Sequence, residues 1–187
     1  LEPLDRRIEY RRAQFGAFDP RLAEALAAKV GALFQIGRFP EAEPLIEQAI
    51  AILTQVLGAE HMDVAAMQNR LVRVRFAQSR MDEALVLMRE VVRKTEAGLG
   101  ATHPELGMRL SNLATVLIRA HQLPEARSTL ERSLTILEAA RGPNHPTLAF
   151  PLNTLGDLQR ELGELSAAAT TYQRAADIVG LAMGREH

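Results

Sequence analysis

The sequence predicts an all-α fold, a solenoid of antiparallel helix pairs, and three observations carry that prediction. Gly16, Gly58, Gly100, Gly142 and Gly184 recur every 42 residues without a slip. Self-similarity at a fixed period of about 20–50 residues is the mark of stacked repeats. Ala, Leu, Arg and Glu, all good helix formers, are abundant, while only 4% of residues are aromatic. No β-branched run alternates with the period of two that a strand needs.

Taken in order, residues 1–15 read as the remnant second helix of a preceding repeat, with Leu4, Ile8 and Phe15 in register. Four repeats follow at 17–58, 59–100, 101–142 and 143–184, within one solenoid spanning 1–187. In each repeat a first helix (A) is expected, at roughly 20–36, 62–78, 104–120 and 146–162. A second helix (B) is expected at roughly 40–57, 82–99, 124–141 and 166–183. The B stripe is plain in Ala126, Leu130, Leu134 and Leu137, which share one face of a 3.6-residue helix. It recurs as Ala42, Ile46, Ile50, Leu53 and Leu57, and as Ala168, Tyr172, Ala176, Val179 and Met183.

The breaks have physical causes. Gly58 and its equivalents suit a left-handed residue ending helix B, where a Cβ would clash. Asp82 and Ser166 are expected as N-caps of helix B, and Pro40 and Pro124 fit its first turn. His61, His103, His145 and His187 stand three residues after four of the glycines, and Asp19 holds that place after Gly16. Because Asp is a natural N-cap, the histidines are read as binding helix starts or packing the turn. A zinc site would need ligands converging on one point, and histidines a whole repeat apart do not converge; no metal is expected. One helix pair cannot bury its apolar face alone, so neighbours must stack, and the last B helix is expected to expose apolar surface.

Composition excludes several function classes. With 22 basic and 23 acidic residues the net charge is −1, which argues against nucleic-acid binding. The absence of cysteine removes disulfides, thiolate metal sites and a cysteine nucleophile. No apolar run approaches the roughly 18–20 residues that span a bilayer, so no membrane association is expected, and a cytoplasmic location is the expectation. Leu1 rather than Met opens the chain, so a processed or excised chain is expected, and the loss of a targeting segment stays open. No nucleophile elbow, phosphate-binding loop or zinc-hydrolase motif is present, so neither catalysis nor a cofactor is expected.

The third repeat carries a resemblance. Leu110-Ser111-Asn112-Leu113-Ala114, then Leu123-Pro124-Glu125-Ala126, then Gly142-Pro143-Asn144-His145-Pro146, resembles a tetratricopeptide repeat. The 42-residue period with a Gly-x-x-His-Pro turn is similar to the repeats of kinesin light chain. The resemblance implies a right-handed superhelix whose A helices line a concave groove for peptides or partner helices. It also implies which columns face that groove: Asn112, Thr115 and Arg119, with Arg70, Arg73 and Ala77, with Thr154, Asp157 and Glu161, and with Ala28, Gly31 and Gln35. Asn69, Ser111 and Asn153 lie beside them. Polar Gln68, Arg75 and Gln159 fall where the family usually has large apolar or aromatic residues.

Two readings of Arg70, Arg73, Asn112 and Arg119 stand side by side. They form a patch for an acidic peptide or a terminal carboxylate, which the planar guanidinium fork binds bidentately, or they are the solvated face of amphipathic helices. The expected function is accordingly a scaffold for a protein or peptide ligand, with an acidic segment as the sharper expectation. The alternative is a self-assembling array that forms homo-oligomers through its terminal helices. His121 is read as an exposed turn residue, and Met67, Met81, Met88 and Met108 as core filler.

Overall fold

The computed structural model describes residues 1–184, apart from the Met183 side chain, so His187 and the Met183 position of the B stripe lie outside the described residues. The helices are α1 (Glu2–Phe15), α2 (Pro20–Gln35), α3 (Phe39–Leu57), α4 (Met62–Ala77), α5 (Met81–Leu99), α6 (Pro104–Arg119), α7 (Leu123–Arg141), α8 (Ala149–Glu161) and α9 (Leu165–Met183). A short 3-10 turn at Pro146–Leu148 leads into α8. No strand occurs among the described residues. The chain forms two compact units, Leu1–Lys94 and Thr95–His187, whose boundary falls within α5.

Every A helix begins in the same way. The side chains of Asp19, His61, His103 and His145 accept a hydrogen bond from the backbone N–H two residues on, at 2.8, 3.2, 3.1 and 3.2 Å. Each thus satisfies one of the orphan donors of a helix start. The histidines do so through Nδ1, and Asp19 shows that the column asks for an acceptor rather than for an imidazole.

Every A helix also ends alike. The N–H groups of Arg38, Arg80, Gln122 and Glu164 reach back to the carbonyls of Leu33, Arg75, Leu117 and Gln159 at 2.8–2.9 Å, closing Schellman turns. The residue before each has positive φ: Gly37 and Gly163, but also Ser79 at 59° and His121 at 56°. The turn delivers the chain into helix B one residue before the expected start, so Asp82 and Ser166 lie inside α5 and α9 instead of capping them. The Arg80 and Glu164 carbonyls accept the first intrahelical bonds.

Gly16, Gly58, Gly100 and Gly142 have φ of 87–89°. Where ψ is extended, as at 155° in Gly58 and 159° in Gly142, the backbone occupies a region essentially reserved for glycine. The expected left-handed backbone is present, and since no atom beyond the chain neighbours lies within 4 Å of where a Cβ would stand, the preference for glycine is set by local conformation and not by tertiary packing. Gly184 has an ordinary helical φ of −72°.

In unit 1 the core gathers Ile8 of α1, Leu22, Leu26 and Leu33 of α2, Ala42, Ile46 and Ile52 of α3, and Met67, Leu71 and Val74 of α4. Lys29, which interrupts an otherwise leucine column, ion-pairs with Asp5 of α1. Unit 2 buries Leu134 and Leu137 of α7 with Leu148, Leu152, Ala175 and Ile178. The stripe expected in α9 is rotated: Ala168, Ala175 and Ile178 are buried while Ala176 and Val179 are exposed. Leu181 is also exposed on that helix.

The polar departures are accommodated unequally. Arg75, buried, is paired with Glu43 and, at 3.0 Å, with Glu47. Its Nε stands 3.5 Å from Glu83, within Coulombic reach but without an aligned hydrogen bond. Gln68 accepts from the buried Lys94 at 3.0 Å. Gln159 is buried with its Oε1 unpartnered among the described residues.

Candidate functional site

Residues of the A helices line an open recess in each unit. In unit 1, Gly31, Phe34 and Gln35 of α2 and Arg70 and Arg73 of α4 line a recess of about 300 Å³. Helical spacing explains the set, since i, i+3 and i+4 positions stand on one face. Arg70 Nη1 donates to the Ala27 carbonyl at 2.7 Å. The Arg73 guanidinium lies 4.6 Å from the centroid of the Phe34 ring, a cation–π contact. Phe34 is itself held edge-on against Phe39, with centroids 5.2 Å apart. Burial, and after it the neighbouring Arg73 charge, hold the Arg70 guanidinium below its ordinary pKa.

In unit 2, Thr115, Ile118 and Arg119 of α6 face Phe150, Asn153, Thr154, Asp157, Arg160 and Glu161 of α8 across a recess of about 300 Å³. Both signs of charge are present. Asp157 Oδ1 accepts from the Tyr172 hydroxyl of α9 at 2.7 Å. Tyr172 comes this close because residue 156 is glycine: a Cβ there would stand 2.5 Å from the Tyr172 ring. Desolvation, and then the Asp157 carboxylate, raise the Tyr172 pKa, since ionisation would set two anions together. Glu161 meets His121 Nδ1 at 3.3 Å.

Of the residues singled out in the sequence, Arg70 and Arg73 come together in unit 1, with Gly31 and Gln35. Thr115, Arg119, Asn153 and Asp157 come together in unit 2, with Thr154 and Glu161. Asn69 and Asn112 are half-buried and line neither recess. Ser111 requires a correction. It is fully buried, its hydroxyl 2.6 Å from that of Ser133 and bonded to the Gly107 carbonyl, so it belongs to the α6–α7 packing and not to the groove. Phe34, Ile118, Phe150 and Arg160 escaped the sequence reading. Spacing could have found Phe150, which stands three, four and seven residues before Asn153, Thr154 and Asp157.

Among the described residues no group of His, Asp or Glu is placed to hold a metal, and no helix is long and apolar enough to cross a membrane.

Comparison with known proteins gives these faces a context. A tetratricopeptide repeat family model matches residues 21–97, 63–139 and 108–179. No curated protein matches the chain. Among solved structures, a variant of the Podosopora anserina putative kinesin light chain with nearly identical TPR-like repeats is similar at 23% identity and TM-score 0.83, covering 97% of this chain and 86% of that one. BtubC (BKLC) from P. vanneervenii is similar at 20% identity and TM-score 0.78, covering 95% and 71%. A MamA RS-1 double mutant is similar at 15% identity and TM-score 0.65, covering 95% and 83%. At these identities the likeness speaks for the fold; the family match runs unbroken from residue 21 to residue 179, and on that ground the chain belongs to the tetratricopeptide repeat family.

Proposed function

We propose that this chain is a non-catalytic interaction scaffold holding a peptide or partner helix against its A helices, with acidic residues of the partner seated against Arg70 and Arg73. One observation carries the reading. Positions that share a groove face in the repeat register line open recesses in both units. On the B helices, Arg132 pairs with Glu96 at 2.5 Å and Arg174 with Glu138 at 2.6 Å, whereas Arg70 and Arg73 have no such partner among the described residues. Family membership supports a general role in protein interaction. Neither nucleic acid nor membrane enters this reading, and a cytoplasmic setting is part of it.

Selection from a displayed peptide library against the full chain tests the proposal. Acid-rich peptides are expected. Replacing Arg70→Gln and Arg73→Gln together should weaken them at least tenfold, about 1.4 kcal/mol or more, with helicity retained. The control Arg132→Gln should leave binding unchanged. Equal binding by parent and double variant rejects the patch.

A second reading, self-assembly through the terminal helices, draws on the exposed Val179 and Leu181 of α9. It expects the apparent mass in light scattering to rise with concentration, and Leu181→Glu to abolish the rise. A constant monomer mass removes it.

A further inference from the structure

Two arginines face the recess of unit 1, and neither has a counter-ion there. Arg75 on the same helix meets Glu43 and Glu47. Arg127 meets Glu164 at 2.6 Å, and Arg93 meets Glu60 at 2.8 Å. For Arg70 and Arg73, among the described residues, no carboxylate stands within ion-pair reach, although acids outnumber bases in the chain by 23 to 22. Two like charges are held side by side where a carboxylate could easily have been placed.

Both guanidiniums are also fixed in ways that leave donors free. The Ala27 carbonyl takes one N–H of Arg70. The Phe34 ring takes the face of Arg73, and a stacked guanidinium keeps its N–H edge for hydrogen bonding. Open space lies beside them, since nothing is within 4 Å of where a Gly31 Cβ would stand.

We propose that this recess binds a phosphomonoester carried on a side chain of a partner peptide. This deepens, and rests on, the reading of the A-helix face as a peptide groove. The argument is one of charge matching. A carboxylate or a phosphodiester brings one negative charge and leaves one guanidinium uncompensated. A phosphomonoester brings about −1.5 to −2 near neutral pH, with three acceptor oxygens that suit two guanidinium forks. Paired arginines are a recurrent means of recognising phosphorylated segments. Phosphate uptake also relieves the mutual repulsion of the two arginines, a gain that a singly charged ligand realises only in part.

The test uses the full chain labelled with 15N-arginine, with the Nε–Hε signals of Arg70 and Arg73 assigned through Arg70→Lys and Arg73→Lys. Phenyl phosphate, dimethyl phosphate and acetate are titrated at constant ionic strength. Phenyl phosphate should move both signals with at least tenfold higher affinity than either monoanion. A short neutral peptide with one central phosphoserine should bind more tightly still, and its unphosphorylated form should not. Gly31→Glu, which sets an internal carboxylate before the arginines and favours helix, should weaken phenyl phosphate tenfold. The double replacement of Arg70→Gln and Arg73→Gln should abolish it. Equal affinity for the three anions, or unchanged titration of Gly31→Glu, overturns the inference. If unphosphorylated acidic peptides bind through Arg70 and Arg73 while phenyl phosphate does not, the phosphate inference fails and the groove reading stands. If phenyl phosphate binds but the phosphopeptide adds nothing, the peptide part of the inference fails, while the peptide selection with the double variant decides the groove reading separately.

Discussion

Single residues in this chain are often chosen for one hydrogen bond or one dihedral angle. His61, His103 and His145 each cap a helix through Nδ1, a task that Asp19 performs at the start of α2. His103→Ala should therefore cost about 1 kcal/mol, while His103→Asp should stay within about 0.5 kcal/mol of the parent; urea unfolding reads both. Ser79 stands at φ 59° in a column held elsewhere by Gly37 and Gly163. Ser79→Gly should raise stability by about 0.5–1 kcal/mol, because glycine meets no Cβ penalty there. Gln159 presents the opposite case. Its column holds the fully buried Leu33 and Leu117 in other repeats, and its Oε1 is buried without a partner. Gln159→Leu should stabilise by about 1–2 kcal/mol, since an unsatisfied buried polar group costs about that much. A lower melting temperature in the leucine variant would contradict this.

Between elements, close approach depends on glycine at Gly107, as it does at Gly156 beside Tyr172. A Cβ on Gly107 of α6 would stand 2.7 Å from the Leu137 side chain and 3.2 Å from the Ser133 carbonyl of α7. Gly107→Ala should thus destabilise by about 1–3 kcal/mol through overpacking. Gly180→Ala in α9 should have the opposite sign, stabilising by about 0.5–1 kcal/mol, because no atom lies within 4 Å and glycine is unfavourable inside a helix. Melting curves of the two variants give the comparison, and like-signed shifts would break it. Successive B helices are also joined by ion pairs one period apart, Glu96–Arg132 and Glu138–Arg174. Exposed pairs of this kind contribute about 0–1 kcal/mol each. Their worth is in alignment more than in stability.

At the scale of the whole molecule, packing within each unit mostly joins helices that are neighbours in sequence, α2 with α3, α3 with α4, α6 with α7, α7 with α8 and α8 with α9, with α6 also meeting α8. Such local contacts keep loop-closure entropy small, and chains rich in them fold in about microseconds to milliseconds. The main refolding phase in stopped-flow measurements should be complete within about ten milliseconds. A dominant phase of seconds would contradict this expectation. The nearly even charge is likewise matched by ion pairs between B helices and nearby turns, as in Arg93–Glu60 and Arg127–Glu164.

Much of this was legible in the sequence by itself. The period of 42 determined where helices stop, because glycine alone adopts the backbone at Gly58 and Gly142 at little cost, and that preference belongs to the residue type. The histidine column was readable for the same reason: a cap is a contact between a side chain and its own near neighbours. The pairing of Gly31 with Arg73 and of Thr115 with Asp157 also followed from register. Tertiary packing alone decided the rest. Whether Ser111 lies in a groove or a core depends on how closely α6 and α7 approach, and Gly107 sets that distance. Whether a charged side chain on α4 meets a partner on another helix depends on residues far from it in the chain. Arg75 found two carboxylates on α3, whereas Arg70 and Arg73 found only a carbonyl and an aromatic ring. Local preferences are written residue by residue; the electrostatic balance of a site is a sum over neighbours that only the folded chain brings together.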